Sequence, residues 1–205
     1  MPHIFLAFTN PAGASEDPFN TWYNERHVPE VLRYGRGFTG CRRYRLESGA
    51  RAAGLTPWRY LALYDVDTDD LALLARKPFR DGAPPLTPFR GLVEEDHVGW
   101  VYTPRTPGIL PAQPYADCLV LTWHTAPLSP EQVAAASDAV KQSQGSLAAR
   151  AYEKAANQRA SQQDAPWPAL VIYETSRPEA APQSQAGRDA WTYVAVADYV
   201  RRDPS

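Results

Sequence analysis

Pro57-Trp58-Arg59-Tyr60-Leu61-Ala62-Leu63-Tyr64-Asp65 and Pro166-Trp167-Pro168-Ala169-Leu170-Val171-Ile172-Tyr173-Glu174 are one pattern written twice. In each, Pro-Trp leads into an apolar run that closes on a tyrosine and an acid, six residues after the tryptophan. Upstream of the first copy stands Arg42-Arg43-Tyr44-Arg45, and upstream of the second Arg150-Ala151-Tyr152-Glu153. Tyr44 precedes Tyr64 by 20 residues and Tyr152 precedes Tyr173 by 21. Further out, HIFLAFTN at 3–10 matches DCLVLTWH at 117–124 in pattern. Self-similarity at this scale marks a repeated structural unit.

Hydrophobic periodicity and punctuation place the elements. The first unit reads as strand 3–9, helix 18–32, strand 39–47, strand 59–66, helix 71–77 and strand 97–103. Asp17-Pro18 supplies a cap and a first-turn proline, and Pro29 kinks the helix. The second unit reads as strand 117–124, helix 130–143, strand 147–154, strand 168–175, a weakened helix at 178–188 and strand 191–199. This order predicts an α+β fold: two ferredoxin-like βαββαβ repeats packed sheet-to-sheet as an intramolecular α+β barrel. The first repeat spans 1–105, a Pro-rich linker 106–115, and a degenerate second repeat 116–205. In the 59–66 strand, Tyr60, Ala62 and Tyr64 face one side and Leu61 and Leu63 the other, so both faces are apolar.

The 205 residues carry a formal charge of −2, with 44% hydrophobic and 21% charged residues. That balance argues against a nucleic-acid footprint. The opening MPHIFLAFTNPAG is too short for a signal h-region or a membrane span, so the expectation is a cytoplasmic protein with no membrane partner. Cys41 and Cys118 lie in separate predicted strands, which fits neither a structural disulfide in a reducing compartment nor a zinc site. No phosphate-loop, dinucleotide or nucleophile-elbow motif is present. The 20 prolines punctuate: they start helices, precede both matching tryptophans and fill the linker.

The string DPFNTWYNERHVPEVLRYGRGFTGCRRYRL, followed by WRYLALYDVD, resembles the EthD-like branch of the dimeric α+β barrel superfamily. Phe19, Asn20, Trp22, Tyr23, Glu25, His27, Val28, Pro29, Arg43 and Tyr44 carry the resemblance. It covers roughly residues 3–66, and the helix of the second unit, PEQVAAASDAVKQS, lacks the Trp-Tyr pair and the His-Val-Pro end. The resemblance implies a barrel and a cavity between sheet and helices. It fixes no activity, because the superfamily holds monooxygenases, isomerases, cyclases, dehydratases, lyases and haem enzymes.

His27 is the leading candidate for chemistry. It follows Tyr23 by one helical turn at the edge of the face made by Phe19, Trp22 and Tyr23, and an imidazole beside a phenol suits acid/base work near neutrality. The alternative is a histidine that only fixes the next loop. Tyr23 could donate a proton or bind an oxyanion; otherwise it and Trp22 are core aromatics. Asn24, Arg43, Tyr44, Tyr64, Trp100 and His124 complete the expected substrate-binding set with Trp22, with an arginine holding a carboxylate and aromatics contacting an aromatic ligand. The alternatives are a solvated helix, a charge-guarded edge strand and barrel core. Segment 78–96 is long enough to be a cavity lid.

These residues suggest a cofactor-independent enzyme acting on a small hydrophobic, aromatic substrate by general acid/base proton transfer, of the lyase, decarboxylase, dehydratase or isomerase type. A cofactor-independent monooxygenase and a non-catalytic small-molecule-binding barrel are the alternatives. No metal and no cofactor are expected, with haem as the alternative. The expected partner is a small-molecule substrate, and the expected assembly is a monomer with an internal pseudo-dimer or a homodimer.

Overall fold

The computed structural model describes residues 3–11, 16–49, 57–89, 97–105, 115–156, 164–180 and 190–202. Eight strands carry the architecture: β1 (His3–Thr9), β2 (Phe38–Gly49), β3 (Tyr60–Val66), β4 (His97–Pro104), β5 (Cys118–His124), β6 (Ser146–Lys154), β7 (Ala169–Thr175) and β8 (Ala190–Ala195). A short β9 (Val200–Arg201) adds onto β2 at Gly40 and Cys41. Neighbours run β3-β1-β4-β6-β7-β5-β8-β2, and β2 pairs back with β3. Every barrel pairing is antiparallel.

This overturns the expected α+β arrangement of two ferredoxin-like βαββαβ repeats packed sheet-to-sheet. The protein is one closed eight-stranded antiparallel barrel, mostly sheet. The physical reason lies at the edges. Two open sheets stacked face to face would leave four strand edges unpaired, and unpaired edges are a liability. Here β4 pairs with β6, and β2 pairs with β8, so each edge of one half is satisfied by the other. Among the described residues the α-helices are few: α1 (Glu16–Trp22), α2 (Val28–Tyr34), α3 (Leu71–Arg76) and α4 (Pro130–Gln142). Of the helix expected at 178–188, the described part is a single 3-10 turn, Pro178–Ala180. The linker expected at 106–115 lies outside the described residues except for Tyr115.

An eight-stranded barrel is just wide enough for side chains to fill, and aromatics fill this one. Trp58, Trp100, Trp123, Trp167 and Trp191 all lie in the interior cluster with Phe8, Tyr44, Leu61, Leu63, Tyr152 and Ile172. Trp123 and Trp167 stack at 4.4 Å between ring centroids. The alternation read for β3 holds, since Tyr60, Ala62 and Tyr64 belong to a separate cluster outside the barrel. That outer layer, under α1 and α2, positions the candidate site. Cys41 and Cys118 are both buried. Among the described residues no helix is long and apolar enough to cross a membrane.

Candidate functional site

Pro29 shapes the site. With no N–H to give the carbonyl of Glu25, it disrupts the helical ladder, and the preceding turn widens. Residues Tyr23–His27 form a π-helical turn between α1 and α2, with the Val28 N–H reaching back to the Tyr23 carbonyl. Such turns occur often at functional positions. This one puts the His27 ring between two aromatics, 4.8 Å from the Trp22 centroid and 4.7 Å from that of Tyr23.

Trp22, Tyr23 and His27 form one wall of a cavity of about 260 Å³ between the helices and the outer face of β1, β3 and β4. Phe5, Phe38 and Tyr64 form the floor, and Phe79 and Leu86 the cover. The cover is the described part of the expected lid segment; residues 90–96 lie outside the described residues. It is pinned to the helices: the Trp22 indole N–H donates to the Thr87 carbonyl at 3.1 Å. The Glu30 carboxylate accepts from the Thr87 N–H at 2.8 Å and from its hydroxyl at 2.5 Å. Glu30 therefore clamps the cover.

Among the described residues, two buried polar atoms of the lining lack a well-formed hydrogen bond, the Nδ1 of His27 and the hydroxyl of Tyr64. Orphaned buried polar atoms are rare and call for a reason. Burial lowers the His27 pKa to about 4; Glu30 works against that shift, while Arg43 and His97 reinforce it. The imidazole is thus neutral at pH 7 and able to take a proton. Burial pushes the Tyr23 phenol up to about 12, with the Arg43 charge pulling the other way. Tyr64 is raised well above 10 by burial, with Tyr23 and Cys41 adding to the effect. Both phenols stay protonated and can serve only as neutral donors.

Arg43 does not open into this cavity. Its guanidinium lies behind the Tyr23 ring, 4.2 Å from the centroid, and donates to the Asn24 side-chain oxygen at 2.7 Å and that of Asn20 at 2.9 Å. Asn24 therefore holds Arg43 rather than facing the cavity. With Arg43 it lines a separate hollow of about 110 Å³ beside Cys41 and Asp198. Tyr44 and Trp100 point into the barrel interior, where the Tyr44 hydroxyl donates to the Ala116 carbonyl. His124 ends β5 on the far half of the barrel. Of the nine residues expected to form the site, the structure gathers Trp22, Tyr23, His27 and Tyr64 around one cavity. The sequence reading left out Phe5, Phe38, Phe79 and the exposed His97, which also line it. Phe5 lies opposite Tyr64 in the β1–β3 ladder, a non-local pairing that the sequence does not declare.

Among the described residues no group of three or more His, Cys, Asp or Glu side chains is placed to hold a metal ion. No protein-family model and no curated protein sequence matches the chain. Among solved structures, an anthrone oxidase-like protein shares the fold at a TM-score of 0.56 and 13% identity, over 99% of this chain and 94% of that one. A Fusobacterium nucleatum protein provisionally named a monooxygenase aligns at a TM-score of 0.47 and 8% identity, over 98% of this chain and 94% of that one.

Proposed function

We propose that the chain is a cofactor-independent oxygenase that oxidises a small aromatic substrate at an activated C–H group. The observation that carries this reading is the neutral His27 imidazole, whose Nδ1 has no hydrogen-bond partner among the described residues, in an aromatic cavity with the Tyr64 hydroxyl on its floor. The fold likeness to the anthrone oxidase-like protein supports this class of chemistry.

In this mechanism the aromatic walls hold a ring system flat, and the imidazole takes a proton from a methylene flanked by aromatic rings. The Tyr64 hydroxyl, protonated throughout, donates to the oxygen on which negative charge develops. Glu30 lies near enough to favour the imidazolium that forms. The carbanion then passes its electrons to dioxygen, which partitions readily into an apolar cavity. A carbon–oxygen bond forms, and loss of water leaves a carbonyl. The balance closes without a further reductant: CH2 and O2 become C=O and H2O.

The lyase or isomerase reading shares the proton abstraction and differs in the fate of the carbanion, so oxygen uptake separates the two. Anthrone serves as the probe, with uptake followed on an oxygen electrode and product by absorbance. The expected result is one dioxygen consumed per substrate, with a rate reduced about 10²–10⁴-fold in His27→Asn. Turnover of a substrate without oxygen uptake would return the reaction to the lyase or isomerase class. Tight binding with no product would mark a carrier. Full activity in His27→Asn would remove the assigned base.

A further inference from the structure

We propose that the groove between α2, the Arg80–Pro84 turn and β9 is a binding site for a phosphate ester with an aromatic or apolar body. This groove is separate from the His27 cavity and larger, at about 690 Å³. Four arginines line it, Arg33, Arg80, Arg201 and Arg202, brought together from three distant parts of the chain. Among the described residues none of the four forms an ion pair. Among the described residues the one acid in the lining, Asp81, is already engaged by Arg36 at 2.9 Å and Lys77 at 3.5 Å.

Four like charges around one concavity repel each other and raise the local potential, a cost that a multiply charged anion would offset. Guanidinium forks match phosphate oxygens in geometry, and four of them exceed what a single carboxylate can satisfy. The floor gives the ligand its second half. Tyr34 and Leu32 line it, together with Val200, which is 38% exposed and, among the described residues, one of two large hydrophobics left open to solvent. The walls are fixed by backbone bonds: the Arg80 N–H donates to the Tyr34 carbonyl and the Arg202 N–H to the Thr39 carbonyl, each at 2.9 Å. The backbone of the groove is therefore already ordered, and the arginine side chains are what remains to be fixed on binding. The Arg80–Pro84 turn also lies between Phe79 and Leu86, both of which cover the His27 cavity, so a ligand in the groove would brace that cover from outside.

The test is calorimetric titration of the full chain with ADP, pyrophosphate and adenosine at low and high salt. ADP is expected to bind with a Kd below 1 mM, at least about tenfold more tightly than pyrophosphate, and to weaken as salt rises. Adenosine is expected not to bind. The double variant Arg80→Glu, Arg201→Glu should lose ADP binding by at least about thirtyfold, and the milder Arg33→Gln should weaken it while keeping the fold. Oxygen uptake without ADP should be unchanged in both. His27→Asn should bind ADP like the parent, which separates failure of this site from failure of the proposed chemistry. Equal binding of adenosine and ADP, unaltered ADP binding in the double variant, or no binding at millimolar ADP would each overturn the proposal.

Discussion

The barrel presents two helix-covered outer faces, one on β1–β4 and one on β5–β8, and only the first encloses the His27 cavity. The ladders show which positions correspond. Tyr44 pairs with Leu61 as Tyr152 pairs with Leu170, and Phe8 pairs with Leu61 as Trp123 pairs with Leu170. In this register Cys41 and Arg43 of the first face stand where the second has Ala149 and Ala151. Phe5 stands where Val120 does, and Gly99 where Ala190 does. The second face is built of smaller side chains, and a regular helix sits directly on it: Val133, Ala136 and Val140 of α4 pack against Val120, Ala149, Ala151, Val171 and Tyr173. That helix begins with a complete capping box between Ser129 and Gln132. The first face carries large aromatics and a buried arginine, under a helix broken by a π-helical turn. Small residues under an unbroken helix leave nothing to fill, whereas bulky supports under a distorted helix hold it away from the sheet and leave a cavity.

The severest way to break this comparison is to give the second face the first face's charge. Ala151 is 2% exposed and packed beneath α4, with neither an aromatic cage nor paired amides like those around Arg43. Ala151→Arg would bury an uncompensated cation and is expected to destabilise the protein by about 3–5 kcal/mol or more. Chemical denaturation measures this. A loss below about 1 kcal/mol would show that the second face also has room, and that its smaller residues are not what closes it.

The next effect is the pH response of His27. Its pKa is near 6.5 in the unfolded chain and lowered to about 4 in the folded one. Above pH 6.5 the group is neutral in both states and contributes nothing. As pH falls from 6.5 towards 4 only the unfolded chain takes up the proton, so stability falls by about 1.4 kcal/mol per unit. That amounts to roughly 3 kcal/mol by pH 4. His27→Asn should remove this part of the acid sensitivity, and thermal melts of both proteins between pH 4 and 7 test it. Parallel curves would mean that His27 is solvated and not the buried base assigned above.

Much of this was legible before the structure. The first seven strands lie within a residue or two of their expected places, because their apolar runs are bounded by turn residues, while β8 ends at Ala195, four residues short of the expected 199. Pro29 announced the distorted helix, since a missing N–H is a local fact. What was hidden is non-local. Nothing in the β4 or β6 sequence says that one will pair with the other, and those pairings turn two expected sheets into one barrel. The match of 3–10 with 117–124 was one residue out of register for the same reason that the strands were recognisable. With both faces apolar, a one-residue slip, which exchanges the faces, leaves the pattern looking equally good. Trp100 and Tyr44 were expected at the site because an aromatic strand does not declare which of its faces is the cavity. Arg43 was expected to meet a ligand because its cage of Asn20, Asn24 and Tyr23 is assembled only when α1 and the π-helical turn after it fold over β2.

Gly99 offers a sharper test of the same contrast. A Cβ built on Gly99 would lie 2.5 Å from the Cζ of Phe5, while the corresponding residue of the second face, Ala190, already carries one. Gly99→Ala therefore makes the first face resemble the second. The Phe5 ring must shift, and it forms part of the cavity floor. The expected cost is about 1–2 kcal/mol from overpacking, with a rise in KM larger than the fall in kcat. A variant with unchanged KM would show that Phe5 moves away from the cavity and that this glycine does not set its size.

The smallest effects come from the two helix attachments and differ in kind. Ser129→Ala removes the cap of α4, whose hydroxyl accepts from the Gln132 N–H at 3.3 Å, and should cost about 1 kcal/mol. Thr87→Val removes the hydroxyl donor to Glu30 and should cost a similar ~0.5–1.5 kcal/mol. If only the first face encloses a working cavity, the two losses are alike in denaturation but unlike in turnover. Uncapping α4 should leave KM where it was, whereas loosening the Thr87 clamp should raise it, since the cover carries Phe79 and Leu86. A KM that moves equally in both variants would mean that it follows overall stability, and the division between a packed face and a cavity-bearing face would then say nothing about function.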